Sequence, residues 1–142
     1  MKNPHNILLQ IPHVSITQPQ EEHFELFKLG TFTVDVPLLK INSEIPSSKS
    51  IEEIVELVKL QAHTHYQPHY HELSSAILYM ILGEGTLILG DEHCLYQPGL
   101  RFLIPAKMPH GFITQSTTLF LSIQSPPIHN QEKDTVDIHY GL

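Results

Sequence analysis

The chain has 142 residues, a net charge of −7 with its histidines neutral, and 41% apolar against 16% charged residues. That is the size of one domain with extensions, long enough to bury its own core, and neither fraction suggests disorder. An acidic balance without a basic stripe argues against nucleic acid or an anionic membrane surface as the main partner, and the single cysteine, Cys94, excludes an internal disulfide and reads as a small apolar residue.

Met1 to Gln10 contains only the short apolar run Ile7-Leu8-Leu9, too short for a signal-peptide core, and no apolar run reaches the roughly 20 residues of a membrane span. The expectation is a soluble, cytoplasmic protein. Eleven prolines and seven glycines punctuate short apolar runs throughout, the texture of an all-β domain. Residues 1–22 are polar, with one candidate strand at Ile7–Ile11. Phe24–Leu29 and Thr31–Val36 read as two strands joined at Gly30, with Pro37 ending the second.

Ser50 to Leu60 carries two signals. Ser50 with Glu53 resembles a capping box, and Ile51, Ile54, Val55 and Val58 follow helical spacing. Ile54-Val55-Glu56-Leu57-Val58 is β-branched and favours a strand from about Ile54 onward. Ala76–Leu82 is a continuous apolar run ending at Gly83-Glu84-Gly85. Thr86–Leu89 is another, ending at the hairpin signal Gly90-Asp91. Glu92–Tyr96, Arg101–Ile104, Phe112–Thr114 and Thr118–Gln124 follow as strands. Pro126-Pro127 closes the sheet region, and the polar segment from Ile128 to Leu142 reads as a loosely attached tail.

The strongest chemical signal lies between these runs. His69, Tyr70 and His71 place two imidazoles on one face of a strand, because strand side chains alternate. A third imidazole, His110, follows Gly99 and Pro105. Three neutral nitrogens suit zinc, iron, nickel or copper and are poor ligands for magnesium or calcium. The alternative is a histidine-rich solvated loop, since the chain has 11 histidines.

These landmarks together resemble the cupin superfamily, whose first motif runs Gly-x5-His-x-His-x3-4-Glu-x6-Gly and whose second runs Gly-x5-Pro-x-Gly-x2-His-x3-Asn. His69 and His71 match the histidine pair and Gly83 the closing glycine; Gly99, Pro105 and His110 fall in register in the second motif. The resemblance spans roughly residues 53–125. It implies a double-stranded β-helix, or jelly-roll barrel, over 53–125, with strands of residues 1–52 packed on it and 126–142 as a tail. It also implies one divalent transition metal (iron, zinc, nickel or manganese) held inside the barrel by His69, His71 and His110. The implied activities are a metal-dependent dioxygenase or hydrolase on a small organic molecule, or a non-catalytic small-molecule or metal-binding module. A homodimer is expected, through sheet edges or the strands at Phe24–Leu29 and Phe32–Val36.

The chain departs from the motifs at four positions. His63 and Lys107 stand where the family has glycine, Thr114 where it has asparagine, and Ala76 where it has the metal-binding glutamate. Three imidazoles without a carboxylate would leave a divalent ion at net charge +2, a stronger Lewis acid with an additional open position, but less firmly held.

Several residues are secondary candidates. Glu72 is the nearest carboxylate; a regular strand points it away from the histidines, and a turn after His71 would swing it back. His65 shares the parity of His69, although Pro68 interrupts the alternation. His63 is a weaker candidate and His93 reads as exposed. Arg101, the only arginine, would clamp a substrate carboxylate or form a surface or dimer-interface ion pair. Met80, Leu78, Phe112, Thr114 and Tyr66 are candidates for pocket lining or for ordinary core.

Overall fold

The computed structural model describes residues 13–17, 23–37, 48–126, 129–130 and 135–140. Among these residues thirteen strands run in chain order: β1 His13–Thr17, β2 His23–Pro37, β3 Ser48–Leu60, β4 His65–Tyr70, β5 Ser75–Leu82, β6 Gly85–Leu89, β7 Glu92–Tyr96, β8 Arg101–Ile104, β9 His110–Thr114, β10 Thr118–Ser125, β11 His129–Asn130, β12 Thr135–Val136 and β13 His139–Tyr140. No helix occurs among the described residues. A six-stranded sheet has the order β1-β2-β3-β10-β5-β8 and a five-stranded sheet the order β13-β4-β9-β6-β7, with β11–β12 a separate ribbon. All pairings are antiparallel. This is the jelly-roll arrangement, in which strands adjacent in space come from distant parts of the chain.

The alternation of buried and exposed positions explains the sheets. β10 buries Thr118, Phe120, Ser122 and Gln124 and leaves the intervening residues partly exposed. β5 does the same with Ala76, Leu78 and Met80. Together with Val58, Leu87, Ile104 and Phe112 these apolar side chains form one core. The Phe112 ring stacks on Phe120 at 5.2 Å and meets Tyr96 edge-on at 5.7 Å, the offset and edge geometries that aromatic quadrupoles favour. The β6–β7 turn at Gly90-Asp91 pairs Leu89 with Glu92, and Gly90 has φ 60°. A two-residue hairpin needs that left-handed conformation.

Four expectations need correction or qualification. Ser50–Leu60 is entirely strand; β3 begins at Ser48, and pairing with both β2 and β10 outweighs the local capping-box signal. Phe24–Leu29 and Thr31–Val36 belong to one strand, β2, because the chain passes Gly30 through a bulge rather than a turn. The register slips between Lys28 and Gly30, leaving Leu29 unopposed. The tail is not loosely attached at its end: His139 and Tyr140 pair with Tyr70 and His69 on β4. The candidate strand at Ile7–Ile11 lies outside the described residues, whereas β1, which had no distinct apolar signal, pairs with β2.

Candidate metal centre

The five-stranded sheet carries the histidines. His69 is the penultimate residue of β4 and lies opposite His110, the first residue of β9; His71 immediately follows β4. The ring centroids are 5.2 Å apart for His69–His71, 4.4 Å for His69–His110 and 5.1 Å for His71–His110. One ring nitrogen from each lies within 4.8 Å of the other two. His71 and His110 are buried and His69 half-buried.

Strand alternation alone does not produce this arrangement. Tyr66 pairs with Phe112 and His69 with His110, so three steps along β4 match two along β9. The bulge rotates His69 onto the buried face that Tyr66 already occupies and leaves His65 exposed. Gly111 makes room for it: a Cβ there would stand 2.6 Å from the Tyr66 carbonyl oxygen and 2.9 Å from the Pro68 nitrogen.

Each imidazole is oriented by the backbone. His71 Nδ1 donates to the Asp137 carbonyl oxygen at 2.5 Å, and His110 Nδ1 donates to the Met108 carbonyl oxygen at 3.0 Å. His69 has a backbone hydrogen bond to Gln67. With Nδ1 protonated on His71 and His110, Nε2 keeps the lone pair, the tautomer a metal ligand needs. Burial holds all three rings below the ordinary imidazole range; the neighbouring imidazoles add to it at His69 (His110 and His71) and at His110 (His71), and His139 adds to it at His71, where Asp137 pulls the other way. His110 is lowered to about 4. They are therefore neutral donors at neutral pH. Three neutral, oriented nitrogens at this spacing fit a divalent transition ion, whose bonds to imidazole are about 2.1 Å.

The C-terminal segment braces the centre. The Asp137 carboxylate accepts hydrogen bonds from the backbone N–H groups of Glu72 at 2.7 Å, Leu73 at 2.9 Å and Ser74 at 3.1 Å. His139 Nε2 lies 3.0 Å from the same carboxylate. Burial pushes the Asp137 carboxyl up, but these hydrogen bonds outweigh it and the net shift is downward. His139 stacks on Tyr70 at 5.2 Å, and the Tyr140 ring lies 5.6 Å from that of His69. On the other side, Lys107 N–H donates to the His71 carbonyl oxygen at 2.6 Å.

The secondary candidates separate cleanly. Glu72 is exposed, and the turn after His71 delivers its backbone N–H to Asp137 rather than its carboxylate to the centre. His63 and His93 are exposed. Arg101 lies opposite Tyr79, on the face of β5 turned away from Ala76, Leu78 and Met80. Its Nε donates to the Tyr79 hydroxyl at 3.2 Å, with the guanidinium 5.5 Å from that ring's centre. It is a surface residue and not a pocket clamp. Met80, Leu78, Phe112 and Tyr66 pack in the core. The Tyr66 hydroxyl is further engaged, accepting from Gln61 N–H and donating to the His23 carbonyl. Thr114, at the asparagine position, donates to the Gln61 carbonyl at 2.5 Å and accepts from Thr64 N–H at 3.0 Å, tying β9 to the loop before β4.

Sequence reasoning missed Asp137, whose segment has no periodic apolar pattern. It also missed Glu56, Ser122 and Gln124, which point inward on β3 and β10; the alternation of Phe120, Ser122 and Gln124 was the available signal.

Comparison with known proteins agrees with this architecture. Residues 56–123 match the family described as Cupin domain. Among solved structures, a cupin 2 conserved barrel domain protein from Rhodopseudomonas palustris superposes with a TM-score of 0.64 at 11% identity, covering 94% of this chain and 79% of that one. KdgF from Halomonas sp. superposes with a TM-score of 0.51 at 24% identity, covering 57% of this chain and 73% of that one. At these identities the likeness is one of fold. No curated protein matches the chain.

Proposed function

We propose, for a chain that belongs to the cupin superfamily through residues 56–123, that His69, His71 and His110 hold one divalent transition metal at which a small organic molecule binds. The observation that carries this reading is the joint geometry of the three imidazoles. Their nitrogens converge within 4.8 Å, and a backbone hydrogen bond orients each ring. When bound, an ion on three neutral nitrogens would supply Lewis acidity at positions left open by the protein. The chain's own contribution is to keep the imidazoles neutral, fix their tautomers through Asp137 and Met108, and shield the site within the barrel.

A metal-dependent dioxygenase or hydrolase is the catalytic form of this reading. The exposure of Glu72 favours the second form, a non-catalytic binding module, because it withdraws the one acid that the sequence offered as a general base beside the histidines. Titration of zinc, nickel and iron(II) by calorimetry, with metal analysis of protein purified without chelator, tests the site. One ion per chain is expected, with near-equal loss in His69→Ala, His71→Ala and His110→Ala and retention in His63→Ala and His93→Ala. No binding at micromolar free metal, or wild-type binding by all three ligand variants, sinks it.

The protein's working form is also proposed to be a homodimer. The support is a set of exposed large apolar side chains on the face of β5 and β8 turned away from the core, namely Tyr79, Ile81 and Leu103, with β8 the edge of its sheet.

A further inference from the structure

The inner wall of the six-stranded sheet holds polar groups that the histidine centre does not use. Ser122 lies opposite Glu56 on β3 and Leu78 on β5, and Gln124 lies opposite Ile54 and Ala76. All of these polar residues are on the buried face: Glu56 is 3% exposed, Ser122 2% and Gln124 9%. Ala76, whose small side chain occupies little of this wall, stands five residues after His71.

Gln124 Nε2 donates to Ser122 Oγ at 3.2 Å, so its Oε1 is the free end of the amide. That oxygen and Glu56 Oε1 are buried without a hydrogen-bond partner among the described residues. Folded proteins leave few buried polar atoms in this condition, because the desolvation is not recovered. Here two of them occur on neighbouring strands, on one face, in diagonal positions whose side chains can engage the same small molecule. Burial also pushes the Glu56 carboxyl up, with Lys28 across β2 pulling the other way. A ligand hydroxyl suits either protonation state, donating to a carboxylate or accepting from a carboxylic acid, and it donates to the Gln124 oxygen in both.

We propose that Glu56 and Gln124 form a recognition subsite on the barrel wall for a small polyhydroxylated molecule, one hydroxyl to each orphaned oxygen. This rests on the reading that the barrel admits a small organic ligand, and it extends that reading to the ligand's chemical class.

The test uses the full chain as wild type, Glu56→Met and Gln124→Met, with D-xylose as the probe and tetrahydropyran, its ring without hydroxyls, as the control. Binding is read from backbone amide shifts of Ser122–Gln124, stability from thermal melts, and zinc affinity by calorimetry. D-Xylose is expected to shift these amides in the wild type and tetrahydropyran to leave them unmoved. Each variant should weaken the D-xylose response at least tenfold, keep the wild-type zinc affinity, and melt about 2–4 °C higher, since an unpartnered buried oxygen has been replaced by an apolar group of similar shape. A melting point below the wild type in either variant shows that the groups are structural and overturns the proposal. So does an absent D-xylose response, or one equalled by tetrahydropyran or kept in the variants. Failure of zinc to bind the wild type, with the D-xylose response intact, rejects the metal site and leaves the subsite standing.

Discussion

The imidazole of His71 donates to the main-chain carbonyl of Asp137, 66 residues away, across 2.5 Å. The same Asp137 caps the three backbone N–H groups that follow His71. One residue of the C-terminal segment thus sets both the ring and the turn that carries it.

Asp137→Ala should therefore lower stability by about 1–2 kcal/mol, the scale of losing a side-chain cap on free backbone donors. Removing residues 137–142 also deletes the carbonyl partner of His71, and metal affinity should fall roughly 10- to 100-fold, as for loss of a ligand's orienting hydrogen bond. Denaturant melts and zinc calorimetry on the two variants measure these effects. An unchanged affinity in the truncated protein would show that His71 is oriented without the brace.

His63 and Lys107, which stand at family glycine positions, have φ values of 52° and 70°. A residue with a Cβ is strained there by about 1–2 kcal/mol, part of which glycine gives back through its freer unfolded chain. His63→Gly and Lys107→Gly should each raise stability by up to about 1 kcal/mol. Gly83→Ala should do the reverse, because φ is 98° and its Cβ would stand 2.4 Å from the Thr117 carbonyl oxygen. Urea unfolding midpoints separate the two directions.

Ala76→Glu introduces a carboxylate on the buried face of β5. Two opposite effects are expected. The metal-free protein should lose about 1–3 kcal/mol through overpacking, while zinc affinity should rise as a fourth, charged ligand becomes available. Comparing melts with and without zinc reads both. A loss of stability with no gain in affinity would mean that β5 does not aim this position at the histidines.

The neutral histidines give the metal-free protein a pH dependence. His110 has its folded pKa lowered to about 4, mainly by burial, against about 6.5 when unfolded. Between these values the unfolded chain binds the extra proton, so stability falls as pH drops from about 6.5 toward 4, by up to about 1.4 kcal/mol per pH unit for each such group. His69 and His71 act in the same direction. Melts of the apoprotein across pH 4–7 should show this slope, and His110→Asn should flatten it. Glu56, raised by burial, contributes oppositely, its share of stability being lost as pH rises above about 4.5.

Leu103→Lys, on the exposed face of β8, should dissociate a dimer built on that face without altering the monomer's melting point by more than about 0.5 kcal/mol. Sedimentation velocity at high micromolar concentration gives the answer, and a monomeric wild type would remove the dimer proposal.

The strands from Ala76 to Gln124 were legible in the sequence because each is a short apolar run bounded by glycine, proline or a turn pair. The histidine trio was legible because family spacing, more than parity, marks it. Parity on its own would have admitted His65, which the bulge at Gln67–Pro68 turns outward. The brace at Asp137 was illegible for a physical reason. A two-residue strand has no period, and one carboxylate capping a distant turn leaves no local pattern. Arg101 was ambiguous because strand register, not residue type, decides which face it occupies.

The bulge in β4 makes the number of residues in one strand a condition on the side chain allowed in another. β4 is one residue longer than β9 between their two matched pairs, and the surplus is accommodated where Gly111 has no Cβ. Gly111→Ala should be severely destabilising in the natural chain. It should be tolerated once Pro68 is deleted, since Tyr66 and His69 would then alternate regularly and still face Phe112 and His110. A double-mutant cycle on the two changes would read that dependence directly: a length difference in one strand, held as a missing methyl group in its neighbour.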